Sequence, residues 1–248
     1  MAGNGNIDFF CLECYTDKSE VNTLQTEVIK IDRENMDLDV LKRAGEILKS
    51  GGLVAFPTET VYGLGGDGLH EESSRKIYEA KGRPSDNPLI VHVADMEHLE
   101  KIVKKVPKAA YKLAEAFWPG PMTMILEKND LVPYGTTGGL DTVAIRMPSD
   151  PIALELIRQG GGYIAAPSAN TSGRPSPTTA QHVYEDLQGK IPMILDGGAV
   201  TIGLESTIVD LTEEIPTILR PGFISLDMVQ AVLGEAQVDR GLIANDSN

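Results

Sequence analysis

The chain has 248 residues, of which 42% are hydrophobic and 23% are charged, a composition typical of globular domains. Its 36 acidic and 22 basic residues give a formal net charge of −14, which opposes nonspecific attraction to nucleic acid or to an anionic membrane. No apolar stretch approaches the length of a membrane span, and the polar N-terminus lacks a signal-peptide pattern. We therefore expect a cytoplasmic protein without a membrane partner.

The chain begins with a polar, irregular stretch that predicts an N-terminal extension over residues 1–26. Within it, Cys11 and Cys14 form a C-x-x-C pair. No second pair of thiols or histidines stands at zinc spacing, and no βαβ pattern surrounds the pair for a redox role. A leader without metal or redox chemistry is therefore the favoured interpretation.

A helical pattern follows from Leu38 to Leu48, with Asp37 as its N-cap and two glycines after Ser50 as its stop. The apolar run LVAF, which begins at Leu53, then predicts a buried strand.

The next segment, FPTETVYGLGGDG at 56–68, predicts a loop whose glycines let the backbone approach something closely. Gly63, Gly65 and Gly68 fit G-x-G-x-x-G, but residues 57–62 separate them from the strand end. In a dinucleotide-binding turn the first glycine stands at the strand end, so a nicotinamide cofactor is disfavoured.

The rest of the chain alternates helical patterns with short apolar runs bounded by glycine and proline. Helices are predicted at SSRKIYEAKG, in two stretches within 95–117, at PIALELIRQ and at TTAQHVYEDL. Strands are predicted at LIVHV, PMTMILEK, TVAIRMP, GYIAAPS, PMILDGG, STIVDL and TILRPG. About seven strands with roughly six or seven helices predict an α/β fold, α+β by some schemes, with a twisted mixed sheet, flanking helices and an open concave cleft. We place this fold in a single domain over 27–234, followed by a C-terminal tail over 235–248.

One basic run stands out in this acidic chain, with lysines at 101, 104, 105, 108 and 112. Lysines at these spacings fall mainly on one side of a helix, so a solvated helical face is the favoured interpretation. Contact with RNA is the alternative.

KGRPSDNPLIVHV places Lys81, Arg83, Asn87 and His92 on a loop and on the strand that follows it. Two prolines restrict the backbone of this loop, so the cations are held with little flexibility. Arginine supplies forked donors and lysine a point charge, as phosphate and carboxylate binding requires. The segment therefore predicts an anion site, with a plain surface turn as the alternative.

Two predicted strands carry an arginine, Arg146 in TVAIRMP and Arg220 in TILRPG. A buried arginine is costly without a partner, so it must meet a carboxylate from the protein or from a ligand. GLESTIVD adds Glu205 and Ser206 at the start of another strand. We expect these polar groups to face a common cleft.

APSANTSGRPSPT carries Ser168 and Ser176 in a hydroxyl-rich run that is longer than one helix cap needs. Its N–H and hydroxyl groups are candidates for phosphate binding, with a capped turn as the alternative. The sequence contains no G-x-x-x-x-G-K-[ST], H-E-x-x-H or G-x-S-x-G motif, and its four histidines lack metal-ligand spacing. A protein-bound metal and a Ser-His-Asp triad are therefore disfavoured, and chemistry would rest on positioning and charge stabilisation.

Seven segments stand in a recognisable order: PTETVYGLGGDG, KGRPSDNPLIVHV, FWPGPMT, LDTVAIRMP, APSANTSGRPSPT, GLESTIVD and ILRPG. In this order, across residues 27–234, the chain closely resembles the YrdC-like family of threonylcarbamoyl-AMP synthases in its short single-domain form. The resemblance implies that L-threonine, bicarbonate (or CO2) and ATP are converted into threonylcarbamoyl-AMP, diphosphate and water, for threonylcarbamoyladenosine modification of tRNA. Longer members add a linker and a second domain, so a truncated form of a longer chain is the alternative.

The resemblance also implies roles for individual residues. The residues that would bind L-threonine are Thr60, His92, Arg146, Ala166 and Ser206. The residues that would bind ATP are Arg83, Asn87, Thr142, Ser168, Ser176 and Arg220. Lys81 and Arg83 would be catalytic, with Lys81 facing the phosphates or the carbamate, and Arg146 would meet the carboxylate of threonine. Mg2+ would arrive with ATP, without a metal site in the protein.

Other functions remain open at this point. A carbamoyltransferase of hydrogenase maturation contains a similar domain, but its zinc-finger cysteines and acylphosphatase-like segment have no match here. Dihydroxybutanone phosphate synthase shares the fold type, but its acidic metal-binding signature is not evident. An RNA-binding YrdC-like module is the alternative that is not an enzyme. The partners implied by the resemblance are the tRNA threonylcarbamoyl-transferase complex that uses the product and, more weakly, tRNA itself, which the net charge of −14 disfavours.

Overall fold

The computed structural model of the chain describes residues 24–245. Cys11 and Cys14 lie outside the described residues, as does the predicted N-terminal extension up to residue 23. No helix among residues 24–245 is both long enough and apolar enough to cross a membrane.

Strands and helices alternate along most of the described chain. The strands are β1 (Glu27–Lys30), β2 (Val54–Phe56), β3 (Gly63–Asp67), β4 (Ile90–His92), β5 (Met122–Glu127), β6 (Thr142–Arg146), β7 (Ile164–Ala165), β8 (Met193–Asp196), β9 (Thr207–Asp210), β10 (Thr217–Arg220) and β11 (Gln237–Val238). The helices are α1 (Leu38–Lys49), α2 (Glu71–Lys81), α3 (Met96–Ile102), α4 (Lys108–Phe117), α5 (Tyr134–Thr137), α6 (Pro151–Gln159), α7 (Ala180–Leu187), α8 (Leu226–Leu233) and α9 (Arg240–Asn245).

The strands of the described residues form one mixed sheet in the order β1-β8-β2-β3-β7-β4-β6-β5-β9-β10-β11. Parallel pairs such as β4 with β6 alternate with antiparallel pairs such as β5 with β6, so the predicted mixed α/β fold is confirmed. The predicted number of about seven strands is too low, because residues 24–245 contribute eleven. The missed strands are the edge strand β1, in which only Val28 and Ile29 are β-branched, the glycine-rich strand β3 and the two-residue strand β11. Each is too short or too rich in glycine to give a clear strand pattern in the sequence.

Local sequence signals explain where the helices begin. The Asp37 side chain accepts hydrogen bonds from the Asp39 and Val40 N–H groups at the start of α1, as the sequence predicted. Asp150 caps α6 in the same way, with Pro151 in the first turn. Pro107 separates α3 from α4, which confirms the predicted join.

The glycine-rich segment is a strand rather than the predicted loop. Gly63–Asp67 form β3, antiparallel to β2. A Cβ atom on Gly65 would lie 2.8 Å from Ile164 Cγ2 and 2.9 Å from Phe56 Cε1. The close approach that these glycines permit is therefore largely to the protein's own core, and a larger side chain at Gly65 would force neighbouring strands apart.

One half of the sheet, which we call the covered half, consists of β1, β8, β2 and β3 and packs against helices on both faces. One face packs against α1 and α6, through residues such as Leu48 and Leu156. The other face packs against α2 and α7, through residues such as Ile77 and Val183. Because both faces are covered, the central strands β2 and β8 are almost continuously apolar.

The other half, which we call the open half, consists of β4, β6, β5, β9 and β10. One face of it packs against α3, α4 and α8 and forms a separate apolar cluster. Side chains alternate along each strand, so on β6 Val143 and Ile145 enter this cluster while Ala144 and Arg146 point to the opposite face. That opposite face forms the floor of a cavity.

Two findings bear on the predicted segment boundaries. The sheet continues past residue 234, because β11 pairs with β10, and α9 follows it within the predicted tail. The predicted basic run lies on α3, on α4 and between them, on the side of the sheet opposite the cavity. Two of its lysines form surface ion pairs, Lys101 with Glu97 and Lys104 with Glu127.

Candidate functional site

A cavity of about 350 Å³ lies on the uncovered face of the open half, within the usual size range of small-molecule sites. Its floor is apolar and comes from neighbouring strands, with Ile90, Ala144, Ile125 and Ile208. In the strand register, Ile90 lies opposite Ala144, and Ala144 lies opposite Ile125. The polar groups stand around this floor, at strand ends and in the loops that follow them.

Nine of the twelve residues that the sequence predicted for the site line this cavity. They are Thr60, Arg83, Asn87, His92, Arg146, Ala166, Ser168, Ser206 and Arg220. They come from distant parts of the chain, and the strand order brings them together because β4, β6, β5, β9 and β10 are consecutive in the sheet. Their predicted roles in binding threonine and ATP stay predictions.

Lys81 is not among the residues that line the cavity, and its predicted role towards the substrates stays a prediction. Its side chain is buried, and its Nζ donates hydrogen bonds to the backbone carbonyls of Ser168 at 2.5 Å and Asn170 at 2.6 Å. Burial, and secondarily the positive charge of Arg83, lowers the pKa of Lys81 to about 8. Lys81 therefore holds the segment that carries Ser168, and it acts on the cavity through that segment.

Thr142 and Ser176 also lie outside the cavity lining. Thr142 is on the same face of β6 as Ala144 and Arg146. It stands at the opposite end of the strand from Arg146, where it pairs with Glu127. The Ser176 hydroxyl donates at 2.8 Å to Oε1 of Glu205, which does line the cavity. Both residues flank the cavity rather than face it.

Arg146 is buried at the end of β6 and is already paired with a carboxylate of the protein. Its guanidinium lies 2.6 Å from Glu59 Oε1 and donates to Thr60 Oγ1 at 2.8 Å. The other carboxylate oxygen of Glu59 accepts a hydrogen bond from the Ser149 N–H. Arg146 therefore has, within the protein, the carboxylate partner that a buried arginine needs. Because the charges of Arg146 and Glu59 offset each other, the ion pair is neutral as a whole.

Arg220 stands at the end of β10 and makes a second ion pair within the cavity wall. Its guanidinium lies 2.5 Å from Glu205 Oε2, and it donates to the backbone carbonyl and the hydroxyl of Ser206, each at 3.0 Å. The Ser206 hydroxyl is also 2.7 Å from that of Thr123. These contacts fix Ser206 and Arg220 relative to each other.

Arg83 differs from the other two arginines because no carboxylate of residues 24–245 forms an ion pair with it. Helix α2 ends at Lys81, and Gly82 turns the chain with φ of 62° so that Arg83 follows at the cavity edge. Its Nε is buried without a hydrogen-bond partner, and one terminal nitrogen donates to the Pro88 carbonyl at 3.3 Å. Burial lowers the pKa of Arg83, but a guanidinium stays charged at neutral pH. Arg83 thus offers the cavity a cation with unused donor capacity.

His92 is buried beside Arg146 and is neutral. Burial, and secondarily the Arg146 charge, lowers the pKa of His92 to about 3. Its Nδ1 lies 3.2 Å from the Ile90 carbonyl, which can only accept, so this nitrogen carries the proton of that hydrogen bond. The ring can therefore take part in hydrogen bonds without adding charge next to Arg146.

Taken together, the cavity is an anion-binding arrangement with an apolar floor. Among the described residues Arg83 has no carboxylate partner, and Arg146 and Arg220 contribute hydrogen-bond donors while their charge is balanced by Glu59 and Glu205. No group of three or more His, Cys, Asp or Glu side chains suited to a metal ion occurs in the described part of the chain. The residues present can hold anionic molecules, and they do not form a resident metal centre.

The sequence reasoning missed Glu59, although a signal for it was present. A buried arginine in a strand demands a carboxylate, and Glu59 stands three positions after the end of β2, within PTETVYG. What the sequence does not give is which glutamate reaches Arg146, because β2 and β6 are separated in the sheet by three strands.

Comparisons with known proteins agree with this geometry. Residues 46–222 match the protein-family model Sua5_yciO_yrdC, whose description is Telomere recombination. Threonylcarbamoyl-AMP synthase of Pyrococcus abyssi (strain GE5 / Orsay) is 53% identical over 206 residues, which are 83% of this chain and 61% of that protein. Threonylcarbamoyl-AMP synthase of Bacillus subtilis (strain 168) is 53% identical over 203 residues, which are 82% of this chain and 59% of that protein. The chain thus spans about three fifths of the length of these two relatives.

Solved structures show the same similarity. The crystal structure of P. abyssi Sua5 complexed with L-threonine superposes with a TM-score of 0.85 at 51% identity, over 88% of this chain and 64% of that chain. The crystal structure of E. coli YciO superposes with a TM-score of 0.74 at 24% identity, over 80% of this chain and 97% of that chain. The second likeness supports the fold alone.

Proposed function

Because the chain belongs to the Sua5/YciO/YrdC family, we propose that it is an L-threonylcarbamoyladenylate synthase. In this reaction L-threonine, bicarbonate and ATP give threonylcarbamoyl-AMP, diphosphate and water. The relatives that are 53% identical bear the name of this activity, and the similar Sua5 structure contains L-threonine. Since the chain spans only part of those relatives, the activity is proposed for the described domain.

The observation that carries the proposal is the convergence of Arg83, Arg146 and Arg220 on one cavity. The amine of threonine, once carboxylated, is a carbamate anion that must attack the α-phosphorus of ATP, which is also surrounded by negative charge. Two anions approach each other only where fixed donors and cations offset their repulsion. A guanidinium supplies both charge and paired N–H donors for carboxylate and phosphate groups.

We divide the predicted residues of the cavity lining into two groups, following the roles that the family resemblance implies. We assign L-threonine to Thr60, His92, Arg146, Ala166 and Ser206, which we call the threonine end, and ATP to Arg83, Asn87, Ser168 and Arg220, which we call the ATP end. The two groups meet where Arg220 donates to the Ser206 hydroxyl at 3.0 Å. At the threonine end, the Arg146–Glu59 pair is neutral as a whole, so it can accept the zwitterionic amino acid without a large net charge. The free cation, Arg83, lies at the end assigned to the polyanion.

Catalysis in this cavity depends on position and charge more than on a proton-transfer residue. His92 is too weak a base to remove a proton from an ammonium group, and both Glu59 oxygens are occupied. Binding the carbamate and ATP side by side supplies proximity, and Arg83 stabilises the developing charge. Mg2+ belongs to the substrate, because it arrives on the triphosphate and keeps most of its ligands as water and phosphate oxygen.

The wider role follows from the product. We propose that threonylcarbamoyl-AMP passes to a tRNA threonylcarbamoyl-transferase complex in the cytoplasm, for threonylcarbamoyladenosine synthesis. Direct contact with tRNA is a weaker proposal, because the lysines at 101–112 lie on the face opposite the cavity and two of them are paired with glutamates. It receives no support from the net charge of −14.

Release of diphosphate from ATP tests the proposed function. We expect release only when L-threonine and bicarbonate are both present, together with formation of threonylcarbamoyl-AMP detectable by mass spectrometry. Omitting either substrate is the matched control. Tight tRNA binding with no ATP turnover under the complete conditions would contradict the synthase and favour an RNA-binding module.

A further inference from the structure

Glu205 occupies a position in the cavity that an anionic ligand would be expected to take. One of its carboxylate oxygens lies 2.5 Å from the Arg220 guanidinium, and the other accepts a hydrogen bond from the Ser176 hydroxyl at 2.8 Å. Both donors were predicted from the sequence to bind ATP. The protein therefore holds its own carboxylate between two groups that suit a phosphate.

This carboxylate is accessible, unlike that of Glu59, which pairs with Arg146 and does not line the cavity. About a third of the Glu205 side chain is exposed, at 35%, and Glu205 lines the cavity. Both carboxylates have protein partners at both oxygens, but the Glu59 side chain is buried, whereas that of Glu205 is not. Glu205 is thus the carboxylate of the described cavity lining that a ligand can reach.

The position of Glu205 has opposite consequences for two forms of the same nucleotide. A free triphosphate brought to Arg220 meets a fixed negative charge beside the cation, so repulsion offsets attraction. A triphosphate that carries Mg2+ has less negative charge, and its cation finds in Glu205 an oxygen ligand of the kind it prefers.

We propose that Glu205 makes this cavity selective for nucleotide triphosphate in its magnesium-bound form. The inference rests on the proposed function, because it assumes that the triphosphate binds at the Arg83 and Arg220 end. The arrangement adds no resident metal site, since a single accessible carboxylate cannot hold Mg2+ without the phosphates. Glu205 instead acts as a specificity-determining residue that the cation of the substrate neutralises.

Calorimetric titration of ATP into the protein, with either MgCl2 or EDTA in the buffer, tests this role without relying on turnover. For the unmodified chain we expect ATP to bind at least about tenfold more weakly in EDTA than with Mg2+. For Glu205→Gln the two affinities should approach each other, to within about threefold, because binding in EDTA improves and binding with Mg2+ weakens.

Two further variants complete the design. Glu213→Gln makes the same charge change in the loop beyond the opposite end of β9, at an exposed side chain, and should keep the discrimination of the unmodified chain. Glu205→Asp retains the charge and should keep most of the discrimination, which separates the effect of charge from any disturbance of folding. Thermal unfolding of each variant confirms that it is folded under the titration conditions.

The possible outcomes distinguish the inference from the proposed function. The ratio between ATP affinity with Mg2+ and ATP affinity in EDTA is compared between Glu205→Gln and the unmodified chain. Equal ratios would overturn the role of Glu205 while leaving ATP binding intact. Absence of ATP binding in the unmodified chain, with and without Mg2+, would overturn the proposed function and the inference together. A ratio that collapses only in Glu205→Gln would support the inference.

Discussion

The covered half and the open half of the sheet both consist of short strands, but they differ in how many of their faces are packed against helices. In the covered half, both faces are packed against helices, and its strands β2 and β8 contribute almost only buried apolar side chains. In the open half, one face is packed and the other carries Ala144, Arg146 and their neighbours around a cavity. The protein therefore buries both faces of one region and leaves a face of the other free for polar groups.

This difference indicates where a substitution should affect stability and where it should affect function. Polar groups in the open half divide again into those with protein partners, such as Arg146 and Lys81, and those without a carboxylate partner, such as Arg83. A residue with buried partners supports the fold as well as the site. A residue whose donors are unused serves chiefly what enters the cavity.

The largest expected effect comes from Arg146→Ala, which should lower the free energy of unfolding by about 3–5 kcal/mol, because it leaves Glu59 buried without its cation. Chemical denaturation followed by circular dichroism measures this loss, and turnover should also disappear. The double variant Glu59→Gln with Arg146→Met removes both charges and should recover most of the stability without recovering turnover. A stable but inactive Arg146→Ala would show that the ion pair contributes little to the fold.

A core substitution in the covered half should affect stability alone. Leu156 on α6 is fully buried between that helix and the sheet, so Leu156→Ala should cost about 2–5 kcal/mol in unfolding free energy. Diphosphate release well below the melting temperature should be unchanged. Leu131→Ala, at a side chain that is 58% exposed, is the control and should change neither quantity. Lost turnover in a folded Leu156→Ala protein would contradict the division between the two halves.

Lys81→Met should have an intermediate effect that depends on pH. It leaves the buried carbonyls of Ser168 and Asn170 without their donor, at a cost of about 1–3 kcal/mol near neutral pH. The pKa of Lys81 is about 8 in the folded protein and near its ordinary 10.5 when unfolded, so between these values the unfolded state binds more protons. The stability of the unmodified chain relative to the variant should therefore rise as pH increases from 8 to 10.5. Denaturation curves across this range measure the difference, and a constant or falling difference would contradict the burial of a charged amine.

The smallest effect on stability, with a large effect on function, is expected for Arg83→Ala. The side chain has no carboxylate partner within residues 24–245, so unfolding free energy should change by no more than about 0.5 kcal/mol. Loss of charge-assisted bonds to the triphosphate should weaken ATP binding or turnover by about 10- to 100-fold. Arg75→Ala on the neighbouring helix α2 removes an exposed arginine paired with Glu72 and should leave both quantities unchanged. Full activity of Arg83→Ala would show that the proposed site does not depend on this cation.

The sequence predicted those parts of the fold that depend on local signals. Helix α1 begins at the Asp37 cap and β2 follows it, and apolar runs correctly located the strands of the open half. The strand β3 escaped prediction because glycine has no β-propensity, and what makes Gly65 part of a strand is its tight packing against Phe56 and Ile164. That packing depends on neighbours distant in the chain.

The candidate site was predicted mainly through the family resemblance and through the cost of a buried arginine. The requirement for a partner of Arg146 was correct, but its identity as Glu59 depends on how β2 and β6 are placed in the sheet. The hydrogen bonds of Lys81 to backbone carbonyls escaped prediction, because a lysine at a helix end can point to solvent, to a ligand or to backbone carbonyls, and only tertiary packing selects among them. Sequence patterns thus identify chemically capable residues more readily than the direction in which they point.

We propose that threonine and ATP bind side by side in the cavity of the open half. A crystal structure of the unmodified chain with L-threonine and a nonhydrolysable ATP analogue tests this claim most directly. We predict threonine within hydrogen-bond distance of Thr60 and Arg146, with the triphosphate in contact with Arg83. Ligands found elsewhere, for example in the groove between α2 and α5 that Glu71 and Tyr134 line, would contradict the account.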